Sequence, residues 1–248
     1  MMKTKLFLAT LLAGLMSTTA LAQTAAEAEI EIPARINETV FVESPDDHVL
    51  GDDLAVQTMI VYASVSCPHC SGWFTEEWPK IKTELVESGI MRFVFREFPT
   101  APAELSLTGF MLAECGPTES YFDLIEYQME NQQHIFQEAK EGRARETYDK
   151  IAAMAGMETQ EAIAACLSNP DMIAHIQDNG LRANLGKVRG VPAFFINGET
   201  YNGPQDAQSL VTLITQMDKK GVTALPSELV QSDEAPHAHD ATTGHQHD

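Results

Sequence analysis

Basic residues are scarce in this chain. It has 16 lysines and arginines against 36 aspartates and glutamates, which gives a formal net charge of −20. Such a charge repels phosphate backbones and anionic lipid headgroups, so we expect neither nucleic acid nor an acidic membrane as a partner. Long apolar runs are lacking too, because no segment after residue 16 approaches the ~20 residues of a membrane-spanning helix.

The first 22 residues have the pattern of a secretory signal peptide. Lys3 and Lys5 supply the positive start, residues 6–16 the apolar stretch, and Ala20-Leu21-Ala22 a small-residue cleavage site. An uncleaved membrane anchor is the alternative, although the apolar stretch is short for that purpose. The pattern predicts export to an oxidising compartment, in which disulfides persist.

Cysteine is limited to four residues, and two of them form the motif Cys67-Pro68-His69-Cys70. An apolar, β-branched run at residues 56–63 precedes the motif and predicts a buried strand. A helical pattern follows over residues 68–87, and Pro79 should kink that helix. The motif is therefore expected where a strand meets a helix.

The expected chemistry of the motif depends on its position at the start of the helix. Pro68 fits the first helical position, where its missing N–H has no partner to lose. Cys67 is then the N-cap, and Cys70 lies one turn further on the same face, a spacing that suits a reversible disulfide. The free amides, the helix dipole and a protonated His69 all stabilise a thiolate at Cys67. We predict Cys67 as the attacking sulfur and Cys70 as the buried resolving sulfur.

The remaining pattern places a helical segment between strands. Residues 91–95 predict a second strand and complete a β-α-β unit. Residues 102–188 predict four or five helices. Shorter strands are expected at residues 40–42, 49–50, 191–198 and 201–203, and a last helix at residues 207–217.

On these residues the chain resembles DsbA-type thiol–disulfide oxidoreductases, whose α/β fold is thioredoxin-like with an inserted all-helical subdomain. The resemblance covers residues 47–218. It depends on the cysteine motif, on Arg96-Glu97-Phe98-Pro99, and on the sequence GVPAFFING at residues 190–198. It implies a thioredoxin-like domain in two parts at 40–101 and 189–220, with a helical insertion at 102–188. Outside it, the residue pattern predicts the signal peptide at 1–22, a flexible lead-in at 23–39 and a disordered histidine-containing tail at 221–248.

The resemblance also implies an activity and its site. A periplasmic enzyme would donate the Cys67–Cys70 disulfide to protein thiols through a mixed disulfide, with Pro68 and His69 part of the catalytic motif. Val191 and a cis Pro192 would bind the substrate peptide beside it. The partners would be unfolded or reduced exported proteins and a membrane thiol oxidase that restores the disulfide. No cofactor and no metal are implied.

One position departs from that family. DsbA-type proteins often have a buried carboxylate six residues before the first cysteine, where it accepts the proton of the resolving thiol. The residue here is Val61. Proton transfer from Cys70 would then depend on water or on another group.

Cys115 and Cys166 lie in the helical segment. In an exported protein two leftover cysteines most simply pair as a structural disulfide, and two buried free thiols are the alternative.

Two other functions stay open. One is a disulfide isomerase or reductase on the same fold. The other is a metal-handling protein, whose ligands would be the cysteine motif and the tail histidines at positions 237, 239, 245 and 247. For the tail, a solvated segment without metal is the preferred interpretation.

Overall fold

A mixed five-stranded sheet forms the centre of the computed structural model, which describes residues 34–230. The strands are β1 (Val49–Leu50), β2 (Gln57–Ala63), β3 (Met91–Glu97), β4 (Ala193–Ile196) and β5 (Glu199–Tyr201). Their order is β1-β3-β2-β4-β5, with β2 and β3 parallel and the other pairs antiparallel. The signal sequence and the tail histidines lie outside the described residues.

Helices surround this sheet, and six of them lie between β3 and β4. The helices are α1 (Ala34–Glu38), α2 (Pro68–Glu76), α3 (Trp78–Ile81), α4 (Ala103–Glu114), α5 (Tyr121–Glu130), α6 (Gln132–Lys140), α7 (Ala144–Met154), α8 (Gln160–Leu167), α9 (Pro170–Leu185) and α10 (Ala207–Lys220). A π-helical stretch, Lys82–Val86, continues α3. Short 3-10 turns occur at Thr118–Ser120 and Ser227–Leu229.

The central strand β2 is buried on both faces, which explains its almost continuous apolar run. Met59 and Val61 belong to the large core cluster that also contains the apolar residues of α2, α4 and α5. Ile60 and Tyr62 belong to a smaller cluster on the opposite face, together with Ala183 of α9. β2 is therefore held between two layers, and its carboxyl end is a fixed point from which the cysteine motif begins.

The prediction of a strand at residues 40–42 is wrong. The carbonyl oxygens of Val40 and Val42 instead accept hydrogen bonds from the guanidinium of Arg96, at 3.0 and 2.8 Å. Arg96 also forms a two-point ion pair with Asp47, at 3.0 and 2.8 Å, and both side chains are fully buried. Because a buried cation needs all its donors satisfied, this segment folds around Arg96 rather than along a sheet edge.

The helix boundaries differ from the predictions in two places. The lead-in was predicted to be flexible as far as residue 39, but it ends in α1, whose Ile36 is fully buried. The insertion has six helices rather than four or five, because Asn131 alone separates α5 from α6. The helix after the cysteine motif breaks at Glu77, two residues before Pro79, as the missing proline N–H predicts.

The predicted disorder from residue 221 is also wrong as far as residue 230. Gly221 ends α10 in a left-handed conformation, with φ of 63°. Leu225 is buried, and its N–H donates to Glu199 at 2.9 Å. Val230 forms a β-bridge with Tyr201, in a strand that spans residues 199–201 rather than 201–203. These contacts with the sheet edge order a segment whose composition alone predicts a loop.

Candidate active site

Cys67 and Cys70 lie where β2 leads into α2. Cys67 is the N-cap of the helix and Pro68 its first residue. Both cysteines are thiols in this structure, and Cys70 is fully buried whereas Cys67 keeps 8% of its surface exposed. Burial raises the pKa of the Cys70 thiol well above its usual range. The two cysteines therefore differ in burial, and the one that retains some contact with solvent is at the helix start.

The loop before β4 contacts the sulfur of Cys67. The Cys67 thiol donates to the carbonyl oxygen of Val191, with Sγ and O 3.5 Å apart. The Val191–Pro192 peptide bond is cis. β4 begins at Ala193 and pairs antiparallel with β2, which holds this loop at the same end of the sheet as the cysteine motif. The structure thus brings Cys67, Val191 and Pro192 together.

A surface groove of about 440 Å³ lies beside this loop. One wall is fixed by Trp73, whose indole N–H donates to the carbonyl oxygen of Gln205 at 2.8 Å. Pro68 and His69 are both exposed, and His69 reaches the groove. Three lining residues are acidic, so an extended peptide in the groove would meet negative charge. The lining consists of His69, Gly72, Trp73, Glu76, Glu77, Val191, Pro192, Gln205 and Asp206.

The helical insertion holds the turn that carries the motif, and sequence reasoning missed the residues responsible. The buried side-chain amide of Gln132 in α6 donates to the carbonyl oxygens of Val65 and Cys67, at 2.7 and 3.1 Å. Ser71 in α2 donates to the carbonyl oxygen of Met129 in α5, at 2.6 Å. These bonds position the cysteine motif from a segment 58 to 67 residues away, and no local pattern marks them.

Buried hydroxyl groups adjoin the motif on its amino-terminal side. The Oγ atoms of Ser64 and Ser66 are 3.0 Å apart, and Ser66 Oγ lies 2.8 Å from Thr100 Oγ1. Val61 is fully buried in the apolar core cluster, between partner residues Phe95 on β3 and Phe194 on β4. The position at which the family often has an acid is therefore apolar.

Comparison with known proteins decides the family. Residues 43–216 match the family model described as Thioredoxin. The chain belongs to the thioredoxin family. The crystal structure of Wolbachia pipientis alpha-DsbA1 superposes with a TM-score of 0.64 at 26% identity, covering 75% of this chain and 96% of that chain. The thioredoxin-like fold and the resemblance to DsbA-type oxidoreductases are thereby confirmed.

Curated relatives of this thioredoxin-family chain include proteins named as disulfide oxidoreductases. A protein of Rickettsia conorii named "Putative protein-disulfide oxidoreductase" is 28% identical over 182 residues, which are 72% of this chain and 62% of the relative. The chain thus spans less than two thirds of the length of that relative. BdbD from Bacillus subtilis shares the fold, with a TM-score of 0.56 at 17% identity over 70% of this chain and 93% of that chain.

The other two cysteines form a disulfide within the insertion of this thioredoxin-family protein. Cys115 caps α4 and Cys166 lies near the end of α8, with their Cα atoms 5.8 Å apart. The bond joins two helices through cysteines that are 51 residues apart in sequence.

Over residues 34–230, no helix is long and apolar enough to cross a membrane.

Proposed function

We propose that this protein is an exported thiol–disulfide oxidoreductase that donates the Cys67–Cys70 disulfide to protein thiols. The observation that carries the proposal is Cys67 at a helix N-terminus, 8% exposed, beside the cis Pro192 and the fully buried Cys70. The relatives named as protein-disulfide oxidoreductases and the match to alpha-DsbA1 support the same chemistry.

The reaction begins with the oxidised pair. A substrate thiolate attacks Cys67 Sγ, the bond between Cys67 and Cys70 breaks, and Cys70 leaves as a thiolate that takes up a proton. The second substrate thiolate then attacks the substrate sulfur of this mixed disulfide, and Cys67 leaves as a thiolate. Two electrons have passed from the substrate to the cysteine pair. The helix N-terminus favours this outcome, because it stabilises the departing Cys67 thiolate.

The groove suggests how a substrate is held. An extended peptide next to Val191 can pair with the backbone of the cis-proline loop, which presents its cysteine to Cys67. Unfolded or reduced exported proteins offer such extended segments. We further propose that the protein works in the periplasm and that a membrane thiol oxidase restores its disulfide.

The reduction potential of the cysteine pair tests this function. Equilibration with glutathione buffers, read by alkylation and mass spectrometry, should give a potential more positive than about −200 mV, as for strong thiol oxidants. A value near about −270 mV, typical of a thioredoxin, would instead indicate a reductase and contradict the proposal.

A trapping experiment tests the roles of the two cysteines. Cys70→Ser, with its Cys67 first converted to the mixed disulfide with glutathione, should accumulate mixed disulfides with reduced substrate proteins, because a substrate thiolate displaces glutathione from Cys67 and the resolving sulfur is gone. The matched control, Cys67→Ser, should trap none. Trapping by the control variant alone would reverse the assignment of the two cysteines.

A further inference from the structure

A second group of functional side chains lies outside the cysteine motif. Glu97 ends β3, Glu114 ends α4, and His175 lies in α9. One ligand atom from each lies within 4.8 Å of the other two. His175 Nε2 is 3.6 Å from Glu97 Oε2 and 3.6 Å from Glu114 Oε1. Three separate elements thus place donor atoms of two carboxylates and one imidazole within reach of a single ion.

Burial sets this cluster apart from an ordinary surface group of acids. The side chain of Glu97 is fully buried, and those of Glu114 and His175 are 5% and 14% exposed. Two carboxylates in contact away from water repel each other unless a proton or a cation lies between them.

One more imidazole adjoins the cluster, and other residues orient it. His48 Nε2 lies 3.1 Å from Glu114 Oε1, and the His48 ring stacks on Tyr121 with centroids 3.6 Å apart. The Tyr121 hydroxyl donates to Glu97 Oε1, and the Asn179 amide donates to Glu97 Oε2 at 2.5 Å. Partners of this kind hold ligating side chains in place in metal sites. The dithiol reaction proposed above uses none of these residues.

We propose that Glu97, Glu114 and His175 bind one divalent transition-metal ion, with Zn²⁺ as the preferred ion and His48 as the fourth ligand. Carboxylate oxygen and imidazole nitrogen are donors that Zn²⁺ takes at about 2.0 Å, and ligand atoms in such a tetrahedron are about 3.3 Å apart. The observed separations of 3.6 Å need little adjustment to reach that value. Ca²⁺ and Mg²⁺ prefer oxygen ligands alone, so the imidazoles disfavour them.

The position of the site indicates its effect. The ligands come from the segment before β1, from β3, and from α4 and α9 of the insertion. A bound ion would therefore fasten the insertion to the sheet, and it would stabilise the folded protein by its preference for the folded state. This proposal is independent of the proposed redox function.

Zinc titration of the full chain tests the proposal once the other zinc-binding groups can no longer bind the ion. The parent protein should have its Cys67–Cys70 disulfide closed and the four tail histidines replaced by alanine, because thiols and tail imidazoles also bind zinc. Competition with a chromogenic chelator should then show one equivalent of Zn²⁺. Glu114→Gln and His175→Gln should each weaken binding by more than the roughly 10–100-fold typical of an outer-shell change. His134→Gln, at an exposed helix position, is the matched control and should bind as the parent does.

Two further readouts keep the test decisive if a variant folds poorly. X-ray absorption of the zinc-loaded parent should show only oxygen and nitrogen near about 2.0 Å, without the sulfur shell near about 2.3 Å that cysteine ligands give. Zinc should raise the thermal midpoint of the parent and leave that of Glu114→Gln unchanged. No stoichiometric zinc at micromolar concentration, a sulfur shell, binding by both cluster variants as tight as that of the parent, or tighter binding of Ca²⁺ would each overturn the proposal.

Discussion

Removal of the Cys115–Cys166 disulfide should destabilise the protein without removing its redox activity. The double variant Cys115→Ala/Cys166→Ala frees a loop of 51 residues in the unfolded chain. The chain-entropy relation then gives a loss of about 4 kcal/mol in the free energy of unfolding. For a chain of this size each kcal/mol lowers the thermal midpoint by roughly 2–4 °C, so the midpoint should fall by about 10 °C.

Urea unfolding followed by circular dichroism measures this loss, with Cys67–Cys70 closed in both proteins. Oxidation of a dithiol peptide is the second assay, and its rate should stay within about twofold of the parent because the bond lies within the insertion. A loss below about 1 kcal/mol would refute the entropic reasoning. A collapse of the oxidation rate in a folded variant would show that the bond has more than a structural role. Free-thiol titration of the oxidised parent should find no thiol.

Two other predictions concern the cysteine motif and its groove. Gln132→Leu should lower the free energy of unfolding by about 1–3 kcal/mol and slow dithiol oxidation, because it leaves the carbonyl of Val65 without its donor. Stopped-flow kinetics will check this against Gln133→Leu, a change at the exposed neighbouring residue. Peptides with lysine beside the cysteine should react several-fold faster than peptides with glutamate, and 0.5 M salt should abolish most of the difference, since the groove is acidic. Glu76→Gln should reduce that preference, and a preference insensitive to both salt and Glu76 would exclude the groove charge as its cause.

The features that the sequence predicts well are local ones. The β2 run and Pro68 at the helix start depend on neighbouring residues, and both occur where the pattern indicates. Gln132 escaped notice because its partners lie 65 and 67 residues away, and a glutamine in a helix has no distinctive pattern. The false strand at residues 40–42 has the same cause, since its carbonyls bind Arg96, which is more than 50 residues distant.

The metal cluster shows this limit most clearly. His48, Glu97, Glu114 and His175 have no recognisable ligand spacing, because they lie on four separate segments of the chain. The sequence pattern instead indicates the tail histidines as candidate ligands, because they occur as two pairs with a spacing of two residues. The spacing of residues along the sequence indicates a metal site only when one element supplies several ligands. Here each of the four segments supplies a single ligand.

Val61 raises the question of where the Cys70 proton goes. Cys70 is fully buried, and its attack on a mixed disulfide requires loss of a proton that burial makes difficult to release. A carboxylate at position 61 would accept that proton, but it would also repel the Cys67 thiolate. Valine removes both effects. We therefore expect a strong oxidant whose mixed disulfide with a monothiol resolves slowly.

Val61→Glu should speed that resolution and weaken the oxidising power, and it should cost about 1–3 kcal/mol of stability because a polar group is buried. Val61→Gln is the matched control, since it has the same size and cannot accept the proton as a carboxylate does. Stopped-flow reaction with a monothiol across pH separates the two. If the glutamate and glutamine variants resolve equally fast, the acid is not the missing acceptor. The buried hydroxyls of Ser64 and Ser66, which adjoin the motif, are then the next candidates, and Ser66→Ala should slow resolution in the parent protein if they carry the proton.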